Sequence, residues 1–255
     1  MAKIKIMSFN MRMSFANDGV NCFESRKSRI KDMLCAEDPD IIGFQEITPE
    51  MREFIIDTLD GYYTVGAGRT AEFGGETSLV AYKKKDFQLV SCDTVMLSTT
   101  PSVFGSVYEG SDQSKCPREY VKALLKHRDI ANPFWVYNVH TDHIGELSRT
   151  LASLQMLQDI CSHGREFLFT GDFNAHPDSR EIRMITDCVT RKITDATASL
   201  DGTFHNYGRC QPPSKIDYIF ASEGFTVTEA HRVADEPVDG VYCSDHYAVS
   251  ATVEI

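Results

Sequence analysis

Ten short runs rich in β-branched and aromatic residues recur along the whole chain: KIKIMSF, DIIGFQ, TSLVAY, FQLVSCDTVML, EYVKALLK, PFWVYNVH, EFLFTGD, IDYIFAS, FTVTEAHRV and YAVSATVEI. Such runs fold as strands, and ten of them demand sheet surface that other elements must cover. Four helix-like segments are available. One spans about 24–37, with Ile30, Met33 and Leu34 on one face and a stop before Pro39. A second opens with Thr48 as N-cap and Pro49 at its first helical position. The third, residues 146–164, sets Leu147, Leu151, Leu154 and Cys161 on one stripe and ends at Gly164. The fourth starts from a capping box of Asp178 and Glu181. Helices spaced among strands in both halves, without regular βαβ alternation, predict an α/β layered domain: two packed sheets with helices outside. A chain of 255 residues, 42% of them hydrophobic, can bury such a core as one domain, 1–255. The trios SFN (8–10) and DFN (172–174) are faintly alike, too briefly to define a repeat.

Charge and cysteine content narrow the partners. A net charge of −11 repels polyanions, so broad nucleic-acid binding is not favoured, although a local contact stays open. No apolar run approaches the ~20 residues of a membrane-spanning helix, and the opening MAKIKIMSFNM alternates like a strand rather than a leader. A soluble, cytoplasmic monomer is expected. Cys22, Cys35, Cys92, Cys116, Cys161, Cys188, Cys210 and Cys243 form no C-x-x-C pair, which predicts buried free thiols in a reducing compartment.

Strand ends carry the chemistry. Asn10 closes the first run, Glu46 follows IIGFQ, His140 closes PFWVYNVH and Asp172 closes EFLFTGD. Asp217 opens IDYIFAS, and Asp245 with His246 precedes the last run. Residues fixed at the ends of rigid strands can converge on one rim. Carboxylates and side-chain amides without cysteine pairs suit a hard cation, Mg²⁺ or Mn²⁺. Taken singly, each has a structural explanation: a helix-end charge, a turn cap, a buried histidine, or turn chemistry in GDFN.

Together, SFN, FQE, NVHTDH, GDFNAHPDS, KIDYIF and SDHYAV occur in an order that resembles the endonuclease/exonuclease/phosphatase superfamily of metal-dependent phosphoesterases, over nearly the whole chain. The resemblance implies a four-layered α/β sandwich with two packed β-sheets. It implies metal-site roles for Glu46 and Asn10, places Asp172 beside an attacking water with Asn174 next to it, and sets Asp245 and His246 near the scissile phosphate. His140 matches the family's N-T-H block with Val in place of Thr, and Asp217 matches its D-Y. Because Asp245 adjoins His246 in sequence and is poorly placed to orient it, the partner of His246 is expected to be Asp217, leaving Asp245 to face the metal. Arg118, His205 and Arg69 are candidate substrate contacts, the first through a charge-assisted bond to phosphate. ESRKSRI, DIIGFQE, GTFHNYG and LSTTPSVFGS resemble a bacterial branch of metal-dependent hydrolases, related to deadenylase-type and sphingomyelinase-type enzymes. The implied activity is Mg²⁺- or Mn²⁺-dependent phosphoester hydrolysis by direct in-line water attack, on a phosphodiester rather than a monoester; nucleotides, short RNA and lipid or sugar phosphodiesters all remain as substrates.

Rival motifs are incomplete. VGAGRTAEFGG holds G-x-G-x-x-A, but Gly74 and Gly75 interrupt the helix a dinucleotide site needs. HTDH (140–143) is like the zinc motif of metallo-β-lactamase-like hydrolases, with Asn138 where its first histidine belongs. GDFNAH is like calcineurin-type metallophosphatases, with Ala175 where an acid is needed. An inactive binding protein on the same scaffold is the non-enzymatic alternative.

Overall fold

Twelve strands form two six-stranded sheets in the computed structural model, which describes residues 2–255. The first sheet contains β1 (Lys3–Asn10), β2 (Ile41–Ile47), β3 (Tyr62–Val65), β4 (Thr77–Lys83), β11 (Thr226–Arg232) and β12 (Val249–Glu254), ordered β11-β12-β1-β2-β4-β3. The second contains β5 (Phe87–Met96), β6 (Glu119–His127), β7 (Phe134–His140), β8 (Phe167–Asp172), β9 (Ile193–Asp195) and β10 (Asp217–Ser222), ordered β5-β6-β7-β8-β10-β9. The two short strands β3 and β9 had no counterpart among the ten sequence runs. At four and three residues they are too short for an alternation to register.

Both sheets share one pairing pattern. Reading across each, the neighbours are antiparallel twice, parallel once and antiparallel twice, with the parallel pair β1–β2 in one and β7–β8 in the other. Under this correspondence β1 matches β7 and β2 matches β8. The SFN and DFN trios end β1 and β8, which face each other across the sandwich and are not equivalent strands. The similarity of the halves therefore lies in strand pairing rather than in that echo.

Helices cover the outer faces. α1 (Phe23–Glu37) and α2 (Pro49–Thr58) pack on the first sheet through Phe23, Ile30, Leu34, Met51 and Ile55. α3 (Glu146–Ser162) and α4 (Arg180–Thr186) pack on the second through Ala152, Met156, Ile160, Ile182 and Ile185. Four layers result, as expected. Thr48 caps α2 as predicted, accepting from Met51 N. Two helix details differ. The buried stripe of α3 is Ala152, Met156 and Ile160, with Leu151 partly buried against it, while Leu147 and Leu154 are exposed; small Ser148 and Ala152 let the helix approach the sheet, turning those two leucines outward. The N-cap of α4 is Ser179, accepting from Ile182 N, because Asp178 is exposed and Glu181 is drawn instead into a buried ion pair with Arg149 at 3.0 Å. All eight cysteines are free, but Cys243 alone is buried. No helix among the described residues is long and apolar enough to cross a membrane.

Between the sheets the core changes character along the strands. Ile4, Ile6, Val80, Val121, Val136, Leu168, Ile219 and Val253 fill one end with hydrocarbon. Towards the other end sits a fully buried polar group: Ser8, Gln45, Asn138 and Thr170. Asn138 Nδ2 donates across the gap to the carbonyls of Phe44 (2.8 Å) and Leu79 (3.0 Å), and its Oδ1 accepts from Gln45 Nε2 (2.7 Å) and Thr170 Oγ1 (3.1 Å). The sheets come this close because residue 43 is Gly; a Cβ there would lie 2.0 Å from Thr170 Oγ1 and 2.6 Å from Asn138 Oδ1. Gly43→Ala is expected to lower unfolding stability by about 1–3 kcal/mol, the usual cost of overpacking. A urea midpoint unchanged from the parent protein would show that the sheets are not in such close contact.

Candidate active site

Strand register, rather than loop folding, assembles the polar cluster. The parallel pair β1–β2 sets Asn10 beside Gln45, one residue before Glu46, and the parallel pair β7–β8 sets His140 beside Asp172. The antiparallel pair β8–β10 places Asp217 opposite Asp172. These strand ends, with Asp245 and His246 from the segment before β12, share one end of the sandwich. They line or underlie a cleft of about 350 Å³ bounded by Glu46, Asp172, Asn174, Arg118, Asp245 and His246, among others.

Asp172 lies at the centre, 1% exposed. Its Oδ2 accepts from Asn10 Nδ2 (2.9 Å) and lies 3.5 Å from His140 Nε2 and 3.7 Å from His246 Nε2; its Oδ1 accepts from Asn174 N (2.9 Å). Asn10 also donates to Glu46 Oε1 (3.0 Å), so one amide ties two carboxylates together, while its Oδ1 accepts from Arg12 N (2.9 Å). Asn174 is steadied by its amide donating to Thr141 O (3.2 Å). Arg12, Glu46, Asn174 and Asn206 all line the cleft with left-handed backbones, at φ 54°, 62°, 46° and 47°. Each such non-glycine residue costs of order 1–3 kcal/mol, which the surrounding packing must hold in place.

The two histidines are driven to opposite protonation states. Burial depresses His140 well below the ordinary imidazole range, and the nearby Arg118 and Arg69 charges add to it, so His140 is neutral. Burial would depress His246 too, but the Asp217, Asp172 and Asp245 carboxylates outweigh it and raise the imidazolium to about 10. Its Nδ1–H donates to Asp217 Oδ2 at 2.9 Å, the pairing the sequence predicted. Burial, reinforced by Asp217, pushes the Asp172 carboxyl up to about 7 against the pull of His246 and its hydrogen-bond donors. A carboxylate with that value is matched to taking a proton near neutrality.

Two groupings of donors are suited to a cation in different degrees. Asp172, Asp217 and His246 offer ligand atoms within 4.8 Å of one another, but the surrounding carboxylates favour the imidazolium form of His246, and its Nδ1–H is committed to Asp217 Oδ2 at 2.9 Å. Glu46 and Asp245 are buried carboxylates with a weak counter-ion: Arg12 Nε stands 3.6 Å from Asp245 and is committed at 3.0 Å to Asp18. Burial raises the Asp245 carboxyl; His246 opposes this and the Glu46 charge adds to it. This pair of carboxylates with unbalanced charge fits a hard divalent cation.

Of the remaining candidates, Arg118 and Arg69 line the cleft and His205 does not. Arg118 is 4% exposed, yet Nε and Nη1 have no hydrogen-bond partner among the described residues. Arg69 is paired with Glu76 at 2.7 Å. His205 is fully buried behind Asp245, its backbone N–H donating to Asp245 O, its Nδ1 accepting from Gly208 N and its ring 4.1 Å from that of Tyr247. It packs the loop. The G-x-G-x-x-A stretch forms a loop after β3 with no following helix, and Asn138 of the incomplete zinc motif is the inter-sheet bridge.

Sequence reasoning missed Arg12, His143 and Arg26. Arg12 follows Asn10 by two residues, a spacing that could have flagged it. Arg26 carried no signal, since it lies on the basic face of a helix read as amphipathic. It is 0% exposed and donates to the carbonyls of Met11 (2.6 Å), Cys243 (2.8 Å), Asn21 (2.8 Å) and Arg12 (2.8 Å), lashing the segment after Asn10 to the segment before Asp245.

Residues 7–246 match the model of the Endonuclease/Exonuclease/phosphatase family, and the chain belongs to that family. An endonuclease/exonuclease/phosphatase structure from Bacteroides vulgatus is 28% identical with a TM-score of 0.91, covering 100% of both chains. The mannosyl-6-phosphatase of Bacteroides thetaiotaomicron VPI-5482 is 25% identical with a TM-score of 0.88, covering 99% of this chain and 100% of its own. An uncharacterised protein of Acanthamoeba polyphaga mimivirus is 22% identical over 237 residues, 86% of this chain and 88% of that protein.

Arg26→Met would leave buried carbonyls without donors and is expected to cost about 3 kcal/mol or more. Denaturant titration checks this; a loss under 1 kcal/mol would mean that Arg26 does not brace the site.

Proposed function

We propose that this protein is a divalent-metal-dependent phosphoester hydrolase that cleaves a P–O bond by in-line attack of water. The observation that carries the reading is the convergence, in strand register, of a carboxylate poised near neutrality (Asp172), a neutral histidine (His140) and a cationic one (His246) beside the buried pair Glu46 and Asp245.

Glu46 and Asp245 would hold Mg²⁺ or Mn²⁺, with Asn10 aligning Glu46 through its side-chain amide. A divalent cation there would neutralise charge on the phosphoryl oxygens. Asp172 takes the proton of the attacking water, and Asn174, fixed by its bond to Thr141, holds that water or a phosphoryl oxygen. The His246 imidazolium, oriented by Asp217, donates to the negative charge that grows in the transition state, and His140 donates as a neutral group. Arg118 lines the cleft and brings its positive charge close to a phosphoryl oxygen.

The substrate that fits is compact. A cleft of about 350 Å³ in a chain of net charge −11 suits a small phosphoester better than a long duplex. The likeness to a mannosyl-6-phosphatase supports a second reading in which the substrate is a sugar-phosphate monoester rather than the diester expected from the sequence.

Asp172→Asn and Asn174→Ala are each expected to lower kcat by about 10²-fold or more, Asp217→Asn to lower turnover with little change in metal affinity, and Glu46→Gln to weaken activation by Mg²⁺ or Mn²⁺. Assay of bis-p-nitrophenyl phosphate, p-nitrophenyl phosphate, mannose 6-phosphate and short oligonucleotides with each metal and with chelator tests the set. Hydrolysis that survives chelator, or near-normal turnover in Asp172→Asn, would refute the assignment.

A further inference from the structure

The HTDH stretch contributes two residues, Asp142 and His143, that neither the carboxylate centre nor a zinc site uses. Asp142 is 1% exposed, and its carboxylate accepts from Ile144 N (3.0 Å), Gly145 N (2.8 Å), Ser114 N (3.1 Å) and the Ser114 hydroxyl. One side chain thus joins the turn after β7 to the segment that leads into β6. Arg118 Nε stands 3.7 Å from the same carboxylate.

Arg118 Nη2 lies 2.9 Å from His143 Nδ1. A guanidinium has only donors, so Nδ1 must accept, and the proton of the neutral ring is then on Nε2. His143 lines the cleft together with Arg118, and Nε2 is the nitrogen left for a ligand. Burial and the Arg118 charge both lower the His143 imidazolium, which keeps the ring in this neutral state.

We propose that His143 is a substrate-binding residue whose Nε2–H donates to an anionic phosphoryl oxygen beside the Arg118 charge, and that Asp142 is the positioning residue that holds the two together. The inference rests on the phosphoester reading of the site. Arg118 faces Asp142 through Nε and His143 through Nη2, so its guanidinium fixes the ring and adds positive charge behind it, which favours an anionic oxygen at His143 Nε2.

The test is calorimetric titration of the Mn²⁺-loaded protein with inorganic phosphate, followed by steady-state kinetics on p-nitrophenyl phosphate and bis-p-nitrophenyl phosphate. His143 is exposed, so its replacement should leave the fold intact. His143→Ala is expected to weaken phosphate binding about tenfold, the worth of one charge-assisted hydrogen bond, and to lower kcat/KM mainly through KM. His143→Gln, which can accept from Arg118 and still donate, should recover most of the loss. Asp142→Asn, at an unchanged melting temperature, should show the same KM effect; if it unfolds, the two His143 variants decide. Equal phosphate affinity in parent and His143→Ala, or no phosphate binding by the parent protein, would overturn the proposal. Phosphate binding that depends on His143 without hydrolysis of either ester would instead overturn the hydrolase reading and leave an anion-binding cleft. A larger effect on the monoester than on the diester would identify the dianion as the preferred ligand.

Discussion

The buried approach of the two sheets at Gly43 sets the geometry of everything above it. Asn138 reaches from β7 to the carbonyls of Phe44 and Leu79, and Gln45 and Thr170 close the network on its oxygen. A buried amide left unpaired costs about 1–3 kcal/mol, so the network favours one register between the sheets over its neighbours. Register is what the site depends on, because Asn10, Glu46, His140, Asp172 and Asp217 are all strand-end residues. A slip of one residue in any of β1, β2, β7, β8 or β10 would reverse the side chain it presents.

Above that network, the site separates like groups by their surroundings. Two histidines share the Asp172 carboxylate at similar distances, yet one faces two arginines and the other faces three carboxylates. The difference gives a neutral imidazole and a cationic one on either side of the carboxylate proposed as the base. Pairs of titratable groups pushed apart in this way define acid and base roles. The left-handed backbones fall at Glu46, near the end of β2, and at Asn174, two residues past β8, and these two strands occupy matching places in the two sheets. Each half of the sandwich thus contributes a strained residue to the cleft, one proposed for the metal and one for the water.

Much of this was legible in the sequence because the signals were local. Strand runs ending in Asn10, Glu46, His140 and Asp172 gave both the layered α/β class and the convergent rim, and the Asp217–His246 pair followed from excluding Asp245 as a sequence neighbour. What escaped depended on contacts between distant segments. Arg26 reads as a surface residue until four carbonyls from three loops surround it. His205 sits in a block suggestive of substrate contact, but its ring is buried away from the cleft, with Nδ1 accepting from Gly208 N and its face against Tyr247. Leu147 and Leu154 of the leucine stripe of α3 faced outward and only Leu151 packed on the core, because close packing on the sheet selected the small residues beside them. The thiols, expected to be buried as small hydrophobes, were mostly left at partly or fully exposed positions.

The central claim is that Glu46 and Asp245 form the cation site while Asp172 and His246 are reserved for proton chemistry. Anomalous scattering from crystals equilibrated with Mn²⁺ measures this directly. A peak in contact with Glu46 and Asp245, abolished in Glu46→Gln, is the result this account predicts. A peak seated instead among Asp172, Asp217 and His246 would contradict it, since His246 would then be a neutral ligand and the division of roles in the cleft would have to be reversed.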